Sequence, residues 1–186
     1  MLQTQLLMKL AQICTQHLDQ VEQAIEVYQE VFVIKAHHVQ AVSALQTLFG
    51  SLHDATYLEM IADVLRPIYE DQDQWNLLFE QDRVLLAHQP VGEERLESIK
   101  KLALVALEKL NDLPNTLMLY GEAFKEMPDE DECRSRLHEL ALEHGYPQQL
   151  LEYYAAAQAN TQDIDRLCVL SAVSYTHLTL PTICSV

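Results

Sequence analysis

Histidine pairs, carboxylate runs and two helix-borne cysteines are the residues here whose types and spacing could do chemistry. His37 and His38 are the most ligand-like pair, but adjacent helical positions point about 100° apart. Both rings therefore cannot easily reach one ion, and the pair reads as a solvated helix start. His138 and His144 flank Glu139 and Glu143, yet they stand six apart, off the i, i+4 spacing that two ligands on one helix need. Asp71-Gln72-Asp73-Gln74-Trp75-Asn76 opens like a calcium loop. It then places Trp at the fifth position, Asn where glycine is required and Asp82 at the twelfth, so Asp71 and Asp73 read instead as turn and cap before a helix. Asp129-Glu130-Asp131-Glu132 reads as a solvated run facing the positive end of the helix that follows. Cys14 and Cys133 fall on apolar helix faces, where a core thiol is expected rather than a nucleophile. Cys168 and Cys184 complete a set with no zinc spacing and no disulfide framework. With four scattered glycines there is no phosphate-cradling loop, and there is no G-x-S-x-G. These residues nominate no catalytic, cofactor-binding or metal site, and a non-enzyme is expected.

The composition agrees. The 186 residues are 49% hydrophobic, enough for a sizeable core. Few Gly and Pro beside much Leu, Ala, Glu and Gln favour an all-α fold. The net charge of −16 argues against nucleic acid or an anionic membrane as partner, because both need a basic footprint. It suits solubility, and it suits a basic partner protein. No apolar run approaches the roughly 18 to 20 residues of a membrane span. Residues Met1 to Gln5 lack the basic start and cleavage site of a signal peptide, so a cytoplasmic location is expected.

Apolar residues at spacings of three and four predict a series of helices. Helix one covers 2–18, with Leu7, Leu10, Ala11, Cys14 and Leu18 inward. Helix two follows an Asp19/Glu22 capping box and runs to about Lys35, with Val21, Ile25, Tyr28 and Phe32 as its stripe. Helix three covers about His37 to Phe49, with Ala41, Ala44, Leu45 and Leu48 inward and Gly50 ending it. Helix four covers about Asp54 to Glu70. Pro67 predicts a kink in it, or an end near Leu65, at an intrinsic cost of about 3 kcal/mol. Helix five covers about Gln72 to His88, with Trp75 placed in the core.

After the break Gln89-Pro90-Val91-Gly92, helix six covers about Glu93 to Leu110. Leu96, Ile99, Ala103, Ala106 and Leu110 form its inward face. Helix seven runs from Pro114 to Pro128 on Leu117, Tyr120, Phe124 and Met127. Asp129 and Glu132 form a capping box for helix eight, which Gly145 and Pro147 terminate after His144. Helix nine covers about Gln148 to Gln158, and helix ten starts near Gln162.

The hairpin Ile99–Met127 occurs twice. Leu7-Met8-Lys9-Leu10-Ala11 matches Ile99-Lys100-Lys101-Leu102-Ala103, and the helix around Tyr28 matches that around Tyr120, always 92 residues apart. Leu45 and Leu137, Leu48 and Leu140, and Leu58 and Leu150 keep the same offset. A fixed period in an all-helical chain predicts a stacked array. Residues 1–92 form its first unit and 93–172 a second, shorter one. Five helices per unit is an odd number, so the copies do not alternate strictly as paired hairpins.

The segment Val64-Leu65-Arg66-Pro67-Ile68-Tyr69-Glu70, followed by Asp73-Gln74-Trp75 and Leu78, resembles a recurring "L-x-P-I-Y-E-x-x-x-x-W-x-x-L" stretch of tetratricopeptide-repeat-like helical proteins of bacterial type. The W-x-x-L-G-x-x-Y opening of a tetratricopeptide helix is absent, a closing Pro appears only as Pro128, and the period is not 34. What the resemblance implies is a right-handed superhelix of about ten antiparallel helices. It also implies a non-catalytic scaffold that binds another protein or further copies of itself. The alternative is a regulatory or spacer segment of a larger multidomain enzyme. Residues 173–186 stand apart, for they hold none of the chain's charged residues and are rich in β-branched ones. Val173-Ser174-Tyr175-Thr176-His177-Leu178-Thr179-Leu180-Pro181-Thr182 resembles the translation of a transposase-type sequencing adapter. It is therefore expected to be a non-native tail on a fragment of a longer protein.

Overall fold

The computed structural model describes residues 2–16 and 20–160. The Asp19 cap, Leu18, helix ten and the 173–186 tail lie outside them. The described residues are helical, with no strand among them. Contacts divide the chain between Gln89 and Pro90 into two compact units.

The first unit holds α1 (Leu2–Gln16), α2 (Val21–Ile34), α3 (Val39–Ser51), α4 (Ala55–Asp71) and α5 (Trp75–His88). Helices α1 and α2 pack as a hairpin, α2 touches both α3 and α4, α3 touches α4, and α4 touches α5. Ala11 and Cys14 of α1 face Ala24, Ile25, Tyr28 and Val31 of α2 in a core shared with Ala41, Leu45, Leu58 and Ile61. Short connections hold these neighbours antiparallel. Asp54 caps α4 by accepting from the Thr56 amide at 2.9 Å.

The second unit holds α6 (Glu93–Leu104), a π-helical turn (Val105–Lys109), α7 (Leu113–Glu126), α8 (Asp131–Glu143) and α9 (Pro147–Asn160). Helix α6 packs on α7, α7 on both α8 and α9, and α8 on α9. Asp112 caps α7 through the Asn115 amide at 3.2 Å, and Pro114 sits in the first turn, where its missing N–H costs nothing. Leu96, Ile99, Ala103 and Ala106 are buried as the spacing predicts, and so are Leu117, Tyr120 and Phe124.

Several expectations are corrected. Leu10 is not inward but about half-exposed, whereas Ala11 and Cys14 of that face are buried. Gly50 does not end α3, which continues through Ser51. Pro67 does not end α4, which carries on to Asp71. Its last turn buries Ile68 and Tyr69, and the Tyr69 hydroxyl accepts from Gln46 Nε2 at 2.9 Å. Burying two large side chains is worth about 1.5–3 kcal/mol each, which together matches or exceeds the proline's penalty of about 3 kcal/mol. Trp75 is not core. It is half-buried at the first turn of α5, where its indole N–H donates to Asp73 Oδ1 at 3.2 Å. Asp73 takes the left-handed turn position, with φ 52°, instead of capping α5. Helix six is not α-helical to Leu110, because its last turn widens to π. The cap of α8 is Glu130 rather than Asp129.

The two units keep the same internal measure. Helices α2 and α7 begin 92 residues apart, as do α3 and α8, and α4 and α9. The ends of α2 and α7, and of α3 and α8, keep that spacing too. Gln20 N donates to Cys14 O at 3.0 Å and Asp112 N to Ala106 O at 2.8 Å, the same wide closure at matched positions.

Candidate binding groove

The candidate site is an open cavity of about 560 Å³ in the first unit, between the C-terminal half of α2 and that of α4. Phe32, Val33 and Ala36 form one wall, and Val64, Pro67 and Ile68 the other. Val64 and Ile68 reach it from the α4 face that also carries the core residues Leu65 and Tyr69. Phe32 continues the buried stripe of Ile25 and Tyr28 but is only half-buried, while Val33 is 88% exposed. Such apolar exposure lowers solubility unless a ligand or partner covers it.

The rim is acidic. Asp63 and Asp71 line it from α4, and among the described residues Asp63 has no ion-pair partner. Outside the groove lining, Glu22, Glu26 and Glu30 are exposed along α2 at spacings of four, and α2 carries no Lys or Arg. His37 closes one end. Its Nε2 lies 2.9 Å from Asp71 Oδ2, and its Nδ1 lies 2.8 Å from Gln72 Nε2. An amide N–H donating to Nδ1 assigns the ring proton to Nε2, where it is directed at Asp71. His38 turns away to cap α3, its Nδ1 accepting from the Ala41 amide at 3.2 Å. The adjacent histidines thus serve two separate tasks, as their angular spacing requires.

The other nominated residues do not assemble into a reactive site. His138 lies within α8, and His144 is its C-cap. Cys133 is fully buried, and burial first, then the Glu130 carboxylate, pushes its thiol up to about 12, so it stays protonated and unreactive. Glu130 accepts from the Cys133 amide at 2.6 Å and from Lys100 Nζ at 2.7 Å. Burial works against its charge, but these donors outweigh it and hold the carboxyl below its usual range. Lys100 also reaches Glu132 at 2.8 Å and Glu97 at 3.4 Å, so the acidic run 129–132 ties α6 to the start of α8. Among the described residues no three His, Cys, Asp or Glu side chains group to hold a metal ion. No helix there is long and apolar enough to cross a membrane.

Periodicity did not reveal this groove, because its walls are the flanks of two stripes rather than their centres. The available signal was Val33 beside Phe32, an apolar residue off the stripe, opposite the exposed Pro67. No protein-family model matches the chain, and no curated protein matches it.

Proposed function

We propose that this chain is a non-catalytic protein-interaction scaffold built from two copies of a 92-residue, tetratricopeptide-repeat-like helical unit of bacterial type. The matched helix bounds support the two-copy reading, and so do the matched buried positions. Tyr28 and Tyr120, Leu45 and Leu137, and Leu58 and Leu150 are buried in pairs at that offset. Even the caps correspond, His38 on the Ala41 amide and Glu130 on the Cys133 amide. The observation that carries the scaffold reading is the apolar groove left open between α2 and α4. A repeated helical stack that leaves one such groove uncovered is built to hold a partner chain.

Selection from a displayed random-peptide library against the full chain tests this. The expected result is a peptide class that binds saturably and survives competition with scrambled peptides. Failure to recover any saturable ligand overturns the scaffold reading.

A further inference from the structure

The matched positions of the second unit show what the first unit's groove lacks. Between α7 and α9 the space beside Gly121 and Phe124 is filled by two aromatic rings of α9. Tyr153 lies on Gly121 so closely that a Cβ there would come within 2.2 Å of the ring. Tyr154 packs edge-on against Phe124, with centroids 5.0 Å apart and planes at 63°. Phe124 is fully buried in consequence. At the same offset the first unit carries Gln29 for Gly121, Ile61 for Tyr153 and Ala62 for Tyr154. Two aromatic rings are thus missing. Phe32, the counterpart of Phe124, is left only half-buried beside a cavity whose volume falls in the range of ligand sites, about 300–1,000 Å³.

Charge differs in the same way. In the second unit Lys125 Nζ sits 4.9 Å over the Tyr153 ring, a cation held on an aromatic face. Its counterpart is Val33. The first unit's groove therefore lacks the cation as well as the rings, and its lining carries the carboxylates of Asp63 and Asp71. The one basic residue of α4, Arg66, is held by Asp82 at 2.8 Å.

We infer that the α2–α4 groove receives a basic amphipathic helical segment of a partner protein, which brings aromatic anchors for the empty space and Lys or Arg for the acidic rim. This deepens the scaffold reading and rests on it and on the two-copy correspondence. A helix laid between two helices presents anchors at i and i+4 to such a groove. Opposite charge on rim and segment steers their encounter and fixes orientation. A second copy of this chain is a poor occupant, because each copy carries a net charge of −16.

The test uses the full chain and three labelled synthetic helical peptides, followed by fluorescence anisotropy. One carries two Phe residues at i and i+4 with Lys along its flanks. The second replaces Lys by Glu, and the third replaces Phe by Ala. The first should bind saturably, about tenfold or more tighter than either control, and should weaken as salt rises. Asp63→Lys and Val33→Glu alter exposed side chains, so circular dichroism should stay unchanged while each lowers affinity about tenfold. Equal binding of the Lys and Glu peptides overturns the inference, as does absence of binding by the first peptide. If the peptide binds but neither substitution weakens it, the groove assignment falls while the scaffold reading stands. That reading is judged separately by the peptide-library selection.

Discussion

A methyl group at Gly121 would meet the Tyr153 ring, so this glycine sets how closely α9 approaches α7. Gly121→Ala should destabilise the protein by about 1–3 kcal/mol, the usual penalty of overpacking, and urea unfolding measures it. Tyr153→Ala in the same chain should recover part of that loss, because the clash partner is gone. Additive effects in this double-mutant cycle would contradict the contact. Lys100 holds three carboxylates, and its hydrogen bonds to Glu130 and Glu132 raise its pKa. A lysine raised on folding stabilises fully below its unfolded value of 10.5, and the contribution is lost as pH rises through the folded value. Glu130 is lowered on folding, so its contribution is present above its ordinary 4.5 and is lost as pH falls through the folded value. Lys100→Met should cost about 1–3 kcal/mol at neutral pH, in the range of hydrogen bonds to charged groups. The difference from wild type should shrink below pH 4.5 and again above pH 10.5. A difference constant across that range would remove the ion-pair explanation.

Helix α4 shows how an element can override a local signal. Pro67 forbids one backbone bond, and sequence alone makes this a kink or a stop. The helix persists because Ile68 and Tyr69 lie beyond the proline on the buried face. Pro67 itself is exposed at the groove wall. Pro67→Ala restores the missing donor at a helical position and should stabilise the protein by about 1–3 kcal/mol, read as a raised urea midpoint. No gain would mean that the α4 backbone has already relaxed around the ring. Helix α8 teaches a related lesson. Asp129 is the better cap by residue type, yet Glu130 is the one used, its carboxylate held in place by Lys100 reaching across from α6.

Across the molecule, the units share a neighbour pattern, with the second helix of each touching the first, third and fourth. Tyr28 and Tyr120 occupy the same place in that pattern, both nearly fully buried. Tyr28→Ala and Tyr120→Ala should therefore each cost about 3–5 kcal/mol, as large aromatic truncations do. A cost under about 1 kcal/mol for either would show that its hairpin is not built on that ring. The sequence by itself determined the all-α class, the order of the helices and most of their buried faces, because helical periodicity is a local property of the chain. It also carried the 92-residue spacing, which needs only residue types in register. Tertiary structure alone decided which cap is used, how far α4 runs past Pro67 and where α6 gives way to a π turn. It also decided the groove. Whether a flank residue such as Phe32 or Val33 is covered depends on the size of side chains some thirty residues away on another helix. No local pattern encodes that distance.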